Sequence, residues 1–225
     1  MPSDSAFTTH SDDQPKFTAD WFETIAKPIW SQFIPDLPAS RVLEVGSYEG
    51  ASACYLIAQL GARAPLEIHC VDPWEGTANF AGGDVDMSEV EARFRRNTGL
   101  LVERSRHPVT LAIHKGFSGT VLARLLTQKG QGYFDLVYID GSHEAPDVLA
   151  DLVLAFRLLP PGGVILCDDY LWSREETARA DVLGCPKLAI DAFTNIHRRQ
   201  IDLLEWGHAW QHAFRRRSPA DATGA

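Results

Sequence analysis

The sequence predicts an α/β fold: a parallel, doubly wound sheet with helices on both faces and an antiparallel hairpin at its C-terminal end. Three observations carry this. Short apolar runs alternate strictly with segments of helical period from residue 41 to residue 168. The first run, Val42 to Val45, leads through Gly46 and Gly50 into the small-residue stretch Ala51–Leu60, a strand, a tight turn and a helix start. Near the end, Ile201–Trp206 and His208–Phe214 flank Gly207 with no helix between them, which is a hairpin pattern.

Taken in order, residues 1–16 are polar and predict a flexible tail. Thr18–Phe33 places Trp21, Ile25, Ile29 and Phe33 on one stripe, an amphipathic lead-in helix interrupted near Pro28. The first strand and helix occupy about 41–61. Leu66–Asp72 is a second strand with an acidic end, and Pro73–Asp86, with Gly76, Gly82 and Gly83, is a long loop. A charged helix runs from about Ser88 to Arg104. Val109–His114 is a third strand, followed by Lys115–Gly119 and a helix to about Lys129. Tyr133–Asp140 is a fourth strand. Gly141–Ala145 is a loop, and Pro146 suits the first turn of the helix carrying Val148, Leu152, Ala155 and Leu159. Pro160–Gly163 stops that helix ahead of a fifth strand, Val164–Asp168. Pro186–Arg198 is helical. No linker or internal repeat divides the chain, so one domain spans 17–217, with a second flexible tail at 218–225.

Composition narrows the function. The 225 residues suffice for one full core, with 45% hydrophobic and 23% charged residues. A net charge of −9 disfavours nucleic acid or an anionic membrane as the main partner. Cys54, Cys70, Cys167 and Cys185 are scattered without C-x-x-C spacing, which predicts neither a zinc site nor a disulfide framework and fits a reducing compartment. Met1–Ser5 lacks a basic, then apolar, leader and no apolar run is membrane-length, so the expected location is cytoplasmic. The apolar lead-in helix and the Trp-bearing hairpin can cover either the sheet or a second subunit, so a homo-oligomer is possible.

In an open α/β sheet, ligands bind beyond the carboxyl ends of the strands, near the reversal of strand order. The polar residues at those ends are Glu44, Gly46, Ser47 and Gly50, then Asp72, Ser118, Asp140 with His143, and Asp168 with Asp169. Asp72 lies a little over twenty residues beyond the glycine turn, the spacing at which a carboxylate accepts both hydroxyls of a ribose; its structural alternative is a turn Asp before Pro73. Asp140, Asp168 and Asp169 would repel one another if ionised and unpaired, and a hard divalent cation such as Mg²⁺ would relieve this. Because neighbouring strand residues face opposite ways, Asp168 and Asp169 converge only if the chain turns there. Otherwise one of them caps the next segment and the site works without metal. His143 is a candidate general base, or a loop histidine bonded to backbone.

Glu44-Val-Gly-Ser-Tyr-Glu-Gly50, Asp72, Phe134-Asp-Leu-Val-Tyr-Ile-Asp-Gly-Ser-His143, Leu158-Leu-Pro-Pro-Gly-Gly163 and Asp168-Asp-Tyr170 together resemble the class I S-adenosylmethionine-dependent methyltransferases, most closely methyltransferase family 24. The resemblance covers about residues 41–172. It implies a Rossmann-like, seven-stranded sheet with an antiparallel last strand. It also implies that Glu44, Gly46, Ser47, Tyr48 and Gly50 hold the methionine part of S-adenosylmethionine, that Asp72 binds the ribose with Trp74 nearby, and that Gly116 and Ser118 border the adenine. Asp140 belongs to the same rim. By similarity to metal-dependent O-methyltransferases, Asp140, Asp168 and Asp169 would bind Mg²⁺. The catechol-type pattern has Asp-Asn after the fifth strand; this chain has Asp-Asp, as the sugar-type enzymes do.

The expected activity is therefore methyl transfer to a hydroxylated small molecule, with His143 and Asp140 catalytic and Tyr48, Tyr170 and Trp172 as candidate pocket walls. The loop 73–87 and the region 170–186 would shape the acceptor pocket. Three alternatives stand beside it: metal-independent transfer to another nucleophile, an NAD-dependent oxidoreductase or epimerase, and an inactive cofactor-binding subunit. The glycine turn is not G-x-G-x-x-G and no obvious Tyr-x-x-x-Lys pair is present, which weighs against the second.

Overall fold

The computed structural model describes residues 13–75, 77–80, 83–173, 181–205 and 209–218. The chain opens with a π-helical turn, Phe22–Ala26, which runs into α1 (Lys27–Phe33) and a 3-10 turn, Ile34–Asp36. Then follow β1 (Arg41–Val45), α2 (Ala51–Leu60), β2 (Leu66–Asp72), β3 (Thr77–Phe80), β4 (Gly83–Asp86), α3 (Met87–Arg104), β5 (Val109–Lys115) and α4 (Ser118–Lys129). The second half holds β6 (Leu136–Ile139), α5 (Ala145–Leu158), β7 (Val164–Cys167), α6 (Pro186–Ile196), β8 (Ile201–Leu204) and β9 (His212–Arg216).

Seven strands form one sheet in the order β5-β2-β1-β6-β7-β9-β8. The first five are parallel; β9 runs antiparallel between β7 and β8. The order reverses between β1 and β6, so the crevice expected of a doubly wound sheet opens at the ends of these two strands.

Alternation along each strand divides the core into two layers. Leu43, Val45, Val137, Ile139 and Ile165 pack under α4, α5 and α6. Val42, Ile68, Leu136, Tyr138 and Leu166 pack under α1, α2 and α3. Glu44 belongs to the second face by register, which turns its carboxylate toward the start of α2. Among the described residues no helix is long and apolar enough to cross a membrane.

The structure departs from the sequence expectations in three places. The lead-in helix buries Ala26, Ile29, Trp30 and Ile34, while Trp21 and Ile25 are exposed. The cause is the π turn: Lys27 N–H bonds to Phe22 O, five residues back, and the wider turn slips the apolar stripe by one position. Pro28, which cannot donate, sits in the first turn of α1 just after that slip. The expected loop 73–86 instead contains a small antiparallel hairpin, β3 with β4. The closing strands are shorter and further apart than their apolar pattern suggests; Trp210 lies in a turn, and residues 206–208 fall outside the described residues.

Candidate active site

The turn after β1 is built by its neighbours. Gly46 has φ 84°, and a Cβ there would lie 1.9 Å from the carbonyl oxygen of Asp140. Only glycine fits, because the turn passes directly over the end of β6. Gly46 N–H bonds to Val71 O at 2.8 Å, and Asp140 N–H bonds to Val45 O at 2.8 Å, so the ends of β2, β1 and β6 are knitted together at this point. Gly50, φ 81°, caps α2, and a Cβ on it would meet Phe94 at 2.8 Å.

Glu44 is fully buried and accepts from the hydroxyls of Ser47 at 2.5 Å and Ser52 at 2.6 Å. Burial raises its pKa and these two hydroxyls oppose the rise. Asp72 is buried too. Its Oδ2 accepts from the backbone N–H groups of Ser47 and Tyr48, each at 3.0 Å, and its Oδ1 accepts from Trp74 N–H at 2.8 Å. Burial raises the Asp72 pKa against those three donors. Trp74 is buried against Phe94 and donates its indole N–H to Tyr48 O at 2.9 Å. Asp72 and Trp74 therefore clamp the Ser47–Tyr48 turn from the end of β2. Gly116 N–H bonds to Asp72 O at 3.0 Å, which sets Gly116 beside that end, and Ser118 begins α4 two residues on.

The acidic rim lies across the turn. Asp169 has φ 54°, so the chain bends after β7, which is the condition for Asp168 and Asp169 to share one side of the sheet. Tyr138 Oη lies 3.0 Å from Asp140 Oδ2 and makes a very short contact with Asp168 Oδ2. One phenol supplies one proton, so the three groups must share hydrogens or counter-charge. Desolvation of the carboxyl, then repulsion from Asp168 and Asp169, raises the Asp140 pKa, and the exposure of the residue to solvent moderates that rise. Desolvation, then Asp169, pushes Asp168 up to about 6. Asp169 Oδ2 lies 2.7 Å from His143 Nε2, and the imidazole stacks on Trp172 with centroids 3.9 Å apart. Asp169 thus orients His143, the arrangement of a general base and its positioning carboxylate.

The site residues expected from sequence thus stand at adjoining strand ends on one edge of the sheet. Glu44, Gly46, Ser47, Tyr48, Gly50, Asp72 and Trp74 make or brace the β1 turn, and Gly116 stands beside Asp72. Asp140, His143, Asp168 and Asp169 form the rim beside it, and Ser118 stands at the head of α4. Tyr170 donates its hydroxyl to Asp191 at 2.7 Å, and Tyr48 packs with Trp21 at 5.5 Å between centroids.

Several residues escaped the sequence reading. Tyr138 shares a face with Asp140 by its spacing of two, a signal present in the strand pattern. Asp151 falls on the apolar face of α5 and is buried, with neither oxygen hydrogen-bonded to protein. Glu49 is buried, accepting from Thr18 N–H at 2.6 Å, Thr18 Oγ1 at 2.7 Å and Arg93 Nε at 2.5 Å. Asn97 takes Lys16 N–H at 2.9 Å and donates to Lys16 O at 2.8 Å, so the segment preceding the first helix lies over the turn.

All-oxygen donors with raised affinity for protons are the chemistry a hard divalent cation uses, and Asp140 and Asp168 already meet at one hydroxyl. The third carboxylate, Asp169, is engaged by His143. Among the described residues no three His, Cys, Asp or Glu side chains converge as a metal cage.

Known structures share this architecture. An O-methyltransferase from Bacillus cereus in complex with SAH superposes with TM-score 0.59 at 16% identity, covering 87% of this chain and 82% of that one. TomG from Streptomyces achromogenes, an O-methyltransferase of tomaymycin synthesis in complex with SAM, gives 0.52 at 15% identity, covering 85% and 79%. CalS11, a TDP-rhamnose 3'-O-methyltransferase of calicheamicin biosynthesis, gives 0.52 at 14% identity, covering 84% and 76%. At these identities the likeness is one of fold. No curated protein sequence matches the chain. The model of methyltransferase family 24, described as a methyltransferase domain, matches residues 43–170, from within β1 to just past the Asp168-Asp169 pair. Over half the chain is covered, and it holds nearly all of the site residues named above: the protein belongs to this methyltransferase family.

Proposed function

We propose that the chain transfers the methyl group of S-adenosylmethionine to a hydroxyl oxygen of a small, sugar-like or natural-product-like molecule, assisted by Mg²⁺ at Asp140, Asp168 and Asp169. The observation that carries this is the abutment of Gly46 on Asp140. A cofactor held over the β1 turn lies next to the rim where His143 and the carboxylates would receive an acceptor. Support for oxygen as the nucleophile comes from the named activities of the structural neighbours, and for a sugar-like acceptor from CalS11.

The sulfonium supplies an electrophilic methyl group, and a divalent cation supplies charge stabilisation for a developing oxyanion. The protein does the rest. The Ser47–Tyr48 turn, whose N–H groups are taken up by Asp72, is held in shape by Asp72 and Trp74 and would set the start of α2 toward the cofactor. Glu44, fully buried with one oxygen on Ser47 and the other on Ser52, would support the turn and the start of α2 from beneath the cofactor. His143 takes the acceptor's hydroxyl proton at Nδ1, the ring nitrogen that Asp169 leaves open. With S-adenosylmethionine bound, these residues would hold the acceptor oxygen in line with the sulfonium, for which S-adenosylhomocysteine would be the leaving group.

Calorimetry with S-adenosylhomocysteine and with NAD separates this reading from an oxidoreductase; binding of NAD alone overturns it. Methyl transfer to a panel of sugar nucleotides and polyphenols, run in an EDTA and Mg²⁺ series, tests the cation. The His143–Asp169 pair also favours a second reading, metal-free general-base catalysis. Activity untouched by chelation selects that reading, and in either case His143→Ala lowers transfer by about 10²–10⁴-fold.

A further inference from the structure

We infer that Gln211 is a positioning residue for the acidic rim and that Trp30 sets the direction of its amide. The inference rests on the reading that Asp140, Asp168 and Asp169 hold a cation. Gln211 is buried immediately ahead of β9. Cys167 pairs with His212 in the β7–β9 ladder, so the next step along each strand brings Gln211 beside Asp168. Its Nε2 donates to Asp168 Oδ2 at 3.1 Å. Its Oε1 accepts from the indole N–H of Trp30 at 3.1 Å.

The indole nitrogen is a donor only. It therefore fixes the carbonyl end of the Gln211 amide, and the amide's NH₂ has no choice but to face Asp168. Trp30 is fully buried and meets Tyr138 edge-on, with centroids 4.7 Å apart at 83°. Tyr138 bonds to Asp168 in turn. The four side chains close a ring: Trp30 from α1, Gln211 from the approach to β9, Asp168 from the end of β7 and Tyr138 from β6. Asp169 N–H bonds to Asp168 Oδ1 at 2.9 Å, so both oxygens of Asp168 are held. Two uncharged members of the ring, Gln211 and Tyr138, together with one backbone N–H, are spent on a single carboxylate at the rim. The amide satisfies two buried groups at once, the Trp30 indole N–H and the Asp168 carboxylate, and an apolar side chain would leave both short of a partner. The same amide fixes the torsion of Asp168.

The test is Mn²⁺ titration by calorimetry of the full chain, with S-adenosylhomocysteine as the second ligand. The variants are Gln211→Leu, which removes the amide, and Trp30→Phe, which keeps the ring but frees the amide to flip. Outer-shell changes of this kind weaken metal binding by about 10–100-fold. Gln211→Leu is expected to weaken Mn²⁺ binding about tenfold or more and Trp30→Phe about threefold, with S-adenosylhomocysteine affinity within about twofold of the parent in both. Mn²⁺ affinity unchanged in both variants overturns the inference and leaves the cation reading standing. Equal loss of both ligands also overturns it, since that marks general damage. A parent that binds no Mn²⁺ overturns the cation reading and the inference with it. If Gln211→Leu does not fold, Trp30→Phe decides the matter on the same readings.

Discussion

Replacing Asp151 by Asn should make the protein more stable at neutral pH. The side chain is 1% exposed on α5, and neither carboxylate oxygen accepts a hydrogen bond from the protein. Burial pushes its pKa up to about 6; the Ser118 hydroxyl, close to the carboxylate but outside hydrogen-bonding geometry, offsets part of that, and Asp147 adds to it. An unfolded aspartate titrates near 3.9. The folded chain therefore holds this proton more tightly than the unfolded chain. Between about pH 4 and pH 6 the native state carries more protons, and stability falls as pH rises through that window. A gap of about two pH units, at about 1.4 kcal/mol each, amounts to about 3 kcal/mol lost above pH 6. Asn resembles the protonated acid and does not titrate. The variant should match the parent near pH 4 and exceed it by up to about 3 kcal/mol at pH 7, or about 6–12 °C in Tm for a chain of this size. Urea unfolding of both proteins at half-unit steps from pH 4 to 7.5 reads this directly. A stability difference that stays constant across the range, or a parent more stable at pH 7, refutes the reasoning.

Other perturbations follow from the same geometry. Gly46→Ala places a methyl 1.9 Å from Asp140 O at a φ of 84°, so the turn must open; S-adenosylhomocysteine affinity should drop at least about 100-fold by calorimetry, with stability lost by more than about 3 kcal/mol. Glu49→Gln removes the charge that gathers Thr18 and Arg93, and an unmade charged bond costs about 1–3 kcal/mol; trypsin should cut at Lys16 several-fold faster in the variant, as followed by mass spectrometry. His114, whose ring lies 2.8 Å from His69, is held down to about 4 by burial and then by His69. A histidine with a lowered folded pKa contributes stability that is present above about pH 6.5 and lost as pH falls toward 4, the opposite sign to Asp151. His114→Gln should flatten the acid limb of the stability profile, and an unchanged limb in urea unfolding would contradict the assignment.

Much of this is legible in the sequence. The run Leu66–Asp72 is strand from end to end, and the alternation of elements is enough to give five parallel strands, though not their order in the sheet. The residues at the strand ends could be named because a doubly wound sheet delivers them to one edge. What stayed hidden depends on pairings far apart in the chain. Gln211 and Trp30 are separated by 181 residues, and no local pattern marks either as a partner of Asp168. The stripe of the first helix was misplaced by one residue because a π turn changes the period from within. Asp72 is a subtler case. Its position was plain, but the sequence did not reveal that three backbone N–H groups of the glycine turn and its own loop would converge on its carboxylate. That makes Asp72 a brace for the turn in addition to any contact with a ribose.

The distribution of backbone strain gives an independent pointer to the same edge. Among the described residues three non-glycine positions have left-handed φ: Tyr48 at 45°, Trp74 at 41° and Asp169 at 54°. Each costs of order 1–2 kcal/mol relative to an unstrained backbone, and glycine would remove most of it. Tyr48 follows β1, Trp74 follows β2 and Asp169 follows β7, so all three fall on the carboxyl ends of strands. Two are held by the same clamp, since Asp72 accepts from the N–H of both Tyr48 and Trp74. The third aims the carboxylate that meets His143. A fold selected for stability alone would put glycine at these positions, as it does at Gly130, Gly132 and Gly162. Here the aromatic pair packs the turn in place, Trp74 against Phe94 and Tyr48 against Trp21, while Asp169 meets His143, so the strain is kept where side chains shape this edge of the sheet.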